Sequence, residues 1–295
     1  MANLTVATLT NMTPVVWAAQ FIETLRTKEC LTKYVTVDSS LDVATRGRAV
    51  NFAVPGQIAL ADKTADTPYS LAVNANAAPV ALTMAYHRAV AFVFENPAEL
   101  ASLMGLRNYY IEDSVGQIVE DVNAKICGLH ASFTLSGVNP DLDTAAILDA
   151  CGTLDTAKVP ADERTIIMHP NDKIALMKEL ANWYLMGSGN LSAGEVPDLY
   201  GNKAAVSPQV VLSTNRKNLL IHKRAIGFGC RALPTIDPGL GAVSEVRVDS
   251  ATGLIVRIWS CWDQTLGGIR VVVETLYGVC VLDATRGRLL PGAAA

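Results

Sequence analysis

The chain has 295 residues, half of them hydrophobic and only 18% charged, with a net charge of −4. There is no Lys/Arg block, so tight non-specific binding to nucleic acid, which needs a basic footprint, is excluded as the main activity. No apolar run approaches the ~18 residues of a membrane helix, so no membrane partner is expected. Mean hydropathy is nevertheless +0.27. Surplus apolar surface with few charges points to burial in an oligomer, with a single well-buried core as the alternative. The start, Met1 to Thr5, lacks the charged and apolar regions of a signal peptide. Six scattered cysteines with no CxxC pair read as reduced core residues.

Residues 1–40 open with a polar Thr/Asn arm. A short amphipathic helix is predicted from about Pro14 to Thr27, with Thr13 as N-cap and Pro14 as its first residue. Trp17, Phe21 and Leu25 recur on one face, placing Trp17 and Phe21 as clamps to the body or to a neighbour.

Residues 48–94 carry the strongest signal. Val50, Phe52 and Val54 alternate on one face of a first strand, and Val80, Leu82, Met84 and Tyr86 on one face of a second. Between them lies a long insert, Pro55 to Pro79, with few large apolar groups. Compact domains rarely hold such a loop without a purpose. The pattern predicts a projecting two-stranded arm, which is marginal alone and needs a partner surface.

Asn96, Pro97 and Glu99 form a capping pattern for a short helix stopped by Gly105. A longer helix is predicted over 109–132, with Ile111, Val115, Ile118, Val119, Val122, Ile126 and Leu129 on one face. A third runs from Asp143 to Cys151, closed by Gly152. Thr165 to Met168 reads as a buried strand, followed by a helix to about Leu185 with Asn171 as cap. Residues 187–202 are Gly-rich and loop-like. Strands are predicted at 210–212 and 218–222. A hairpin follows, 245–248 and 254–259, around the turn Asp249 to Gly253, then strands at 269–273 and 276–282. Helices and strands are segregated along the chain, which favours an α+β fold.

No cofactor or metal is expected, and no catalytic site is identifiable. His169 with Asp172 is two ligands at most, and a histidine before proline reads as a structural cap. Gly187-Ser188-Gly189 lacks nucleophile-elbow spacing, and no phosphate-binding GxxxxGK[ST] occurs. The cluster Arg46-Gly47-Arg48 recurs as Arg286-Gly287-Arg288. Three readings stay open for these arginines: solvated turns, ion pairs with a neighbour's Asp62 or Asp66, or contact with DNA. Trp183 and Tyr184 read as core of their helix or as packing between neighbouring copies.

The order of parts resembles the major capsid proteins of tailed bacteriophages, with their Hong Kong 97-type fold. GRAVNFAVP (Gly47 to Pro55) is similar to the entry of that family's extended E-loop. Val159-Pro160 with Arg164 to Pro170 resembles its VP…R…P element. Asn218 to Ile226 (NLLIHKRAI) is similar to its NLLFHRDAI strand, and Leu276-Tyr277-Gly278 to its closing LYG strand. The likeness spans about residues 14–290.

The resemblance implies an N-arm over 1–44 and an E-loop over 45–86. It implies a P-domain with a long spine helix over 87–140 and 245–262, and an A-domain over 141–244 and 263–295. It implies a protein, not an enzyme, whose copies form hexamers and pentamers of an icosahedral shell around double-stranded DNA. The shell is the virion capsid, assembled in the host cytoplasm. DNA is touched only weakly, a separate scaffolding protein and a portal are expected, and a decoration protein is an option. Contact candidates between subunits are Trp17, Phe21, Arg46, Arg48, Asp62, Lys63, Asp66, Tyr69, Asp249, Thr252, Arg286 and Arg288. The turn at Asp249 to Gly253 is expected where capsomers meet. Some relatives form Lys–Asn isopeptide links; Lys63 is the loop's single lysine and the candidate donor, with no partner Asn or Glu identifiable. The alternatives are an encapsulin-like nanocompartment and, from another class, a soluble α+β enzyme using the Gly187 to Tyr200 loop as a lid.

Overall fold

The computed structural model describes residues 30–38, 49–54, 62–66, 68, 78–95, 106–136, 141–184, 198–237, 242–249 and 252–293. The elements in chain order are β1 (Thr36–Asp38), β2 (Ala49–Val54), β3 (Ala78–Thr83), β4 (Tyr86–Glu95), α1 (Leu106–Gly128), β5 (Thr134–Leu135), α2 (Thr144–Thr156), β6 (Arg164–Met168) and α3 (Pro170–Tyr184). There follow β7 (Lys203–Val206), β8 (Asn218–His222), β9 (Ile226–Arg231), β10 (Ala242–Asp249), β11 (Leu254–Asp263), β12 (Gly268–Val281) and β13 (Gly287–Leu290). The fold is α+β, as expected.

Strand β12 is the axis of the larger sheet. It pairs antiparallel with β4 along 268–277 on one edge, and with β11 and then β9 on the other. β10 closes the β11 side, and β1 joins β9 in parallel. The sequence predicts two strands here; the structure has one, 14 residues long. Glu274 and Thr275 read as an interruption. Both are buried, and both are satisfied within the sheet. Glu274 takes Arg257 Nε at 2.8 Å, and Thr275 Oγ1 donates to the Ile255 carbonyl at 2.9 Å. A paired polar residue need not end a strand.

Helix α1 lies over this sheet. Ile118, Val119, Val122 and Ile126 are buried at helical spacing, which is why the periodic stretch folds as one rod. It starts three residues before the predicted position and gives way to a 3-10 turn at Leu129–Ser132.

The second sheet runs β5-β13-β8-β6-β7. Every residue of β6 and β8 is buried, so both strands are covered on two faces. Ile166, Met168 and Leu220 pack with α2 and α3; Ile167, Leu219 and Ile221 join the core that includes α1. Two helix boundaries depart from expectation. α2 passes through Gly152 to Thr156 because Leu154 is fully buried and holds the extra turn down. α3 begins at Pro170. His169, not Asn171, supplies its cap: His169 Nδ1 accepts from the Asn171 amide at 3.2 Å. The predicted strand at 210–212 is not a strand of either sheet: Val210 is buried, Leu212 is exposed, and its pairing is a single antiparallel bridge to Arg216.

β2 and β3 form a separate two-stranded antiparallel ribbon, with Val50 opposite Leu82 and Phe52 opposite Val80. These are the two strands expected to flank the insert, except that the second ends at Thr83: Tyr86 and His87 belong to β4 and pair with β12. The two larger sheets do not divide the chain where the expected domain boundaries fall. β9 and all of β12 fall within the expected A-domain ranges, yet both lie in the sheet beneath α1.

Candidate assembly surface

The ribbon is rooted on the larger sheet by β3 and the two residues after it. Leu82 is fully buried and Met84 nearly so, while Ala81, Thr83 and Ala85 between them are exposed. The alternation read in the sequence thus separates a buried root from a solvent face. Val50, Phe52 and Val80 are half-buried further out. Beyond the strands, Asp62, Lys63 and Asp66 are all exposed, and Lys63 Nζ donates to the Thr64 carbonyl at 2.8 Å.

A polar latch joins α1 to the sheet beside the ribbon's root. Asp121 Oδ2 accepts from the Tyr277 hydroxyl at 2.5 Å and from Arg88 Nε at 2.8 Å. Burial, with Asp121 beside it, pushes the Tyr277 phenol well above its ordinary range, so the hydroxyl stays a donor. The Tyr86 ring lies 5.4 Å from that of Tyr277, and Lys125 of α1 stands 5.0 Å over Tyr86. On the other face, Glu274 is held by Arg257 and by His87 Nε2 at 2.9 Å.

The remaining contact candidates sort unequally. Trp17, Phe21, Arg46, Arg48 and Tyr69 lie outside the described residues, as do the Gly187 loop and the short helix before Gly105. Asp249 and Thr252 are each 1% exposed, and Thr252 Oγ1 donates to Asp249 Oδ2 at 2.8 Å. Their turn is packed against β1: a Cβ on Gly253 would sit 2.1 Å from Val37 Cγ1. The described ends of the turn are thus tucked against the body. Arg286 pairs with Asp283 at 2.8 Å, and Arg288 Nε reaches Thr153 Oγ1 at 3.2 Å. The second Arg-Gly-Arg cluster is thus engaged within its own chain.

Sequence reasoning missed the other end of the hairpin. The turn between β11 and β12 exposes half of Trp262 and nearly half of Leu266. It is rigidly built. Asp263 Oδ1 accepts the Thr265 and Leu266 amides, its carbonyl takes the Gly267 amide, and its carboxylate pairs with Arg270. The Thr265 amide is the main force holding that carboxyl below its usual range. Trp262 stands opposite Ile269, and Ile269 opposite Phe94, whose ring packs edge-on to exposed Tyr110 at the start of α1. The signal available was Trp262 followed by Asp and, four residues on, Leu266 before a glycine pair: an aromatic next to a turn.

Chemistry is poorly provided for. His169 caps α3, and Asp172 is held by Arg216 and Asn218, so both side chains have structural partners. Among the described residues no group of three His, Cys, Asp or Glu side chains could hold a metal. The cysteines are free thiols, and burial pushes Cys127 up to about 12, far from a reactive thiolate. A groove of about 390 Å³ lies in the second lobe, lined by Thr144, Ala145, Leu148, Leu180, Asp198 and Tyr200, among others. Its lining carries the Asp198 carboxylate and the Tyr200 phenol, and the Glu179 carboxylate accepts from the Thr144 amide and hydroxyl at its edge.

No family model matches the chain, and no curated protein matches it. Solved structures do. A chain of Mycobacterium phage Che8 superposes with a TM-score of 0.65 at 15% identity, covering 89% of this chain and 91% of that one. The capsid structure of the cyanophage P-SCSP1u gives 0.64 at 14%, covering 91% and 89%. The fold is the Hong Kong 97 capsid type. A virus-like particle from Pyrococcus furiosus matches at 0.53 and 9% identity, over 92% of this chain and 96% of its own. At such identities the likeness is one of fold. These superpositions extend over about nine-tenths of this chain.

Proposed function

We propose that this chain is a shell-forming protein, the major head protein of a tailed phage, whose copies close into an icosahedral capsid around double-stranded DNA. The observation that carries this is the two-stranded ribbon, an element too small to be stable alone, on a fold shared with a cyanophage capsid chain over 91% of this chain and 89% of that one. Such a ribbon gains by lying on a second copy. The subunit acts by contact and not by catalysis. Trp262, Leu266 and Tyr110 make one exposed apolar end suited to meeting a neighbouring copy. Asp62, Lys63 and Asp66 at the loop remain candidates for ionic contact there, and Trp17 and Phe21 for apolar contact with a neighbour. Hexamers and pentamers, a separate scaffolding protein, a portal, weak DNA contact and assembly in the host cytoplasm belong to the same reading. So does the division into N-arm, E-loop, P-domain and A-domain, with β9 and β12 moved to the P-domain.

The test is negative-stain microscopy with size-exclusion chromatography of the purified chain, alone and with scaffold or crowding agents. Closed shells or rings of five and six copies are the expected result. A homogeneous monomer or dimer under every condition would end the proposal. The likeness to a virus-like particle favours one second reading, a cargo-loading nanocompartment. Shells containing protein and no nucleic acid would decide for it.

A further inference from the structure

The ribbon's root rests on two glycines that face each other across the sheet. Gly229 of β9 is the register partner of Gly278 of β12. A Cβ on Gly278 would lie 2.2 Å from the Thr83 carbonyl oxygen and 3.0 Å from its carbon. One on Gly229 would lie 2.5 Å from Leu82 Cδ2 and 3.0 Å from Met84 Cε. Glycine weakens a strand interior, and its presence there often marks close approach of another backbone. Here both members of a cross-strand pair are glycine, and the segment Leu82-Thr83-Met84 occupies the space their side chains would take. The two obstacles differ in kind: backbone over Gly278, the flexible ends of side chains over Gly229.

We propose that Gly229 and Gly278 form a seat that fixes the ribbon's root and so sets the direction in which the ribbon leaves the subunit. They are positioning residues for assembly: both are buried within the subunit, beneath the element proposed to meet a neighbour. The consequence for assembly rests on the shell reading above; the seat itself belongs to the isolated subunit.

Hydrogen–deuterium exchange on the unassembled chain tests it. Gly278→Ala is expected to speed exchange at residues 78–84 by about tenfold, the backbone above it having no way to yield. Gly229→Ala should give a smaller rise of about threefold to tenfold. The deciding comparison is the same substitution in a Leu82→Ala background, where the obstructing methyl is gone. There Gly229→Ala should add less than about twofold. Gly128→Ala, at a position with open space around it, serves as the control and should leave residues 78–84 unchanged. An unaltered pattern in a folded Gly278→Ala chain would overturn the proposal. So would an equal Gly229→Ala effect in both backgrounds, a comparison that stands even where Gly278→Ala does not fold. A wild-type chain that never assembles would sink the shell reading and leave this exchange result in force.

Discussion

Substitution of Asp121 tests how α1 is held to the sheet. Its Oδ2 accepts two hydrogen bonds, from a fully buried tyrosine and from a half-exposed arginine. Asp121→Ala strands the Tyr277 hydroxyl in the core, at about 1–3 kcal/mol for an unsatisfied buried donor. Arg88 keeps access to water, so its lost ion pair adds less than about 1 kcal/mol. The expected total is roughly 2–3 kcal/mol. Tyr277→Phe should cost only about 1 kcal/mol, because Asp121 is partly exposed, can rehydrate, and keeps Arg88. Urea midpoints of the unassembled single and double variants at neutral pH give the coupling, expected at about 1–2 kcal/mol. A coupling below about 0.5 kcal/mol, or Tyr277→Phe costing more than Asp121→Ala, would refute the reasoning.

Four further outcomes are expected. Asp172→Ala leaves Arg216, only 12% exposed, without its carboxylate, and should lower stability by about 3–5 kcal/mol in urea unfolding. Gly152→Ala, in the middle of α2 with open space around it, should raise stability by roughly 0.5–1 kcal/mol; a loss would show that Gly152 does act as a stop. His222 is buried, and its Nδ1 accepts from the Arg224 amide at 3.1 Å. Burial first, then Arg286, depress its pKa below the ordinary 6.5. The unfolded chain thus takes up that proton more readily. This stabilisation is complete above pH 6.5 and declines as pH falls below it. In His222→Asn, pH-dependent melting should flatten in that window. Trp262→Ser should leave the monomer's melting temperature within a degree or two while cutting shell yield severalfold; normal shells would remove this end from the assembly surface.

The sequence by itself was enough for much of this protein. Period-two alternation marked β2 and β3, because one face of a ribbon root must be buried and the other not. Period 3.6 marked α1, because a rod on a sheet buries one stripe. Asp143 was legible only as the start of α2, and the structure shows it capping the Ala146 amide at 2.6 Å. The motifs around Asn218 and Leu276 placed the chain in its fold type. They gave no reason for their own residues. Gly278 looked like part of a word, and its purpose appears only when Thr83, far away in the chain, is brought over it.

What tertiary structure alone decided is pairing and exposure. Glu274 reads as a break until Arg257 is seen to pair with it, and His87 to hydrogen-bond to it, inside one long strand. Asp249 and Thr252 have the composition of a solvent-exposed turn, yet both are buried, with Val37 of β1 against the neighbouring Gly253. Trp262 has the composition of a core residue, yet it stands half exposed. A residue's local pattern fixes which way it points within its own element. Whether anything lies in that direction is set by segments distant in sequence, and no local pattern contains them.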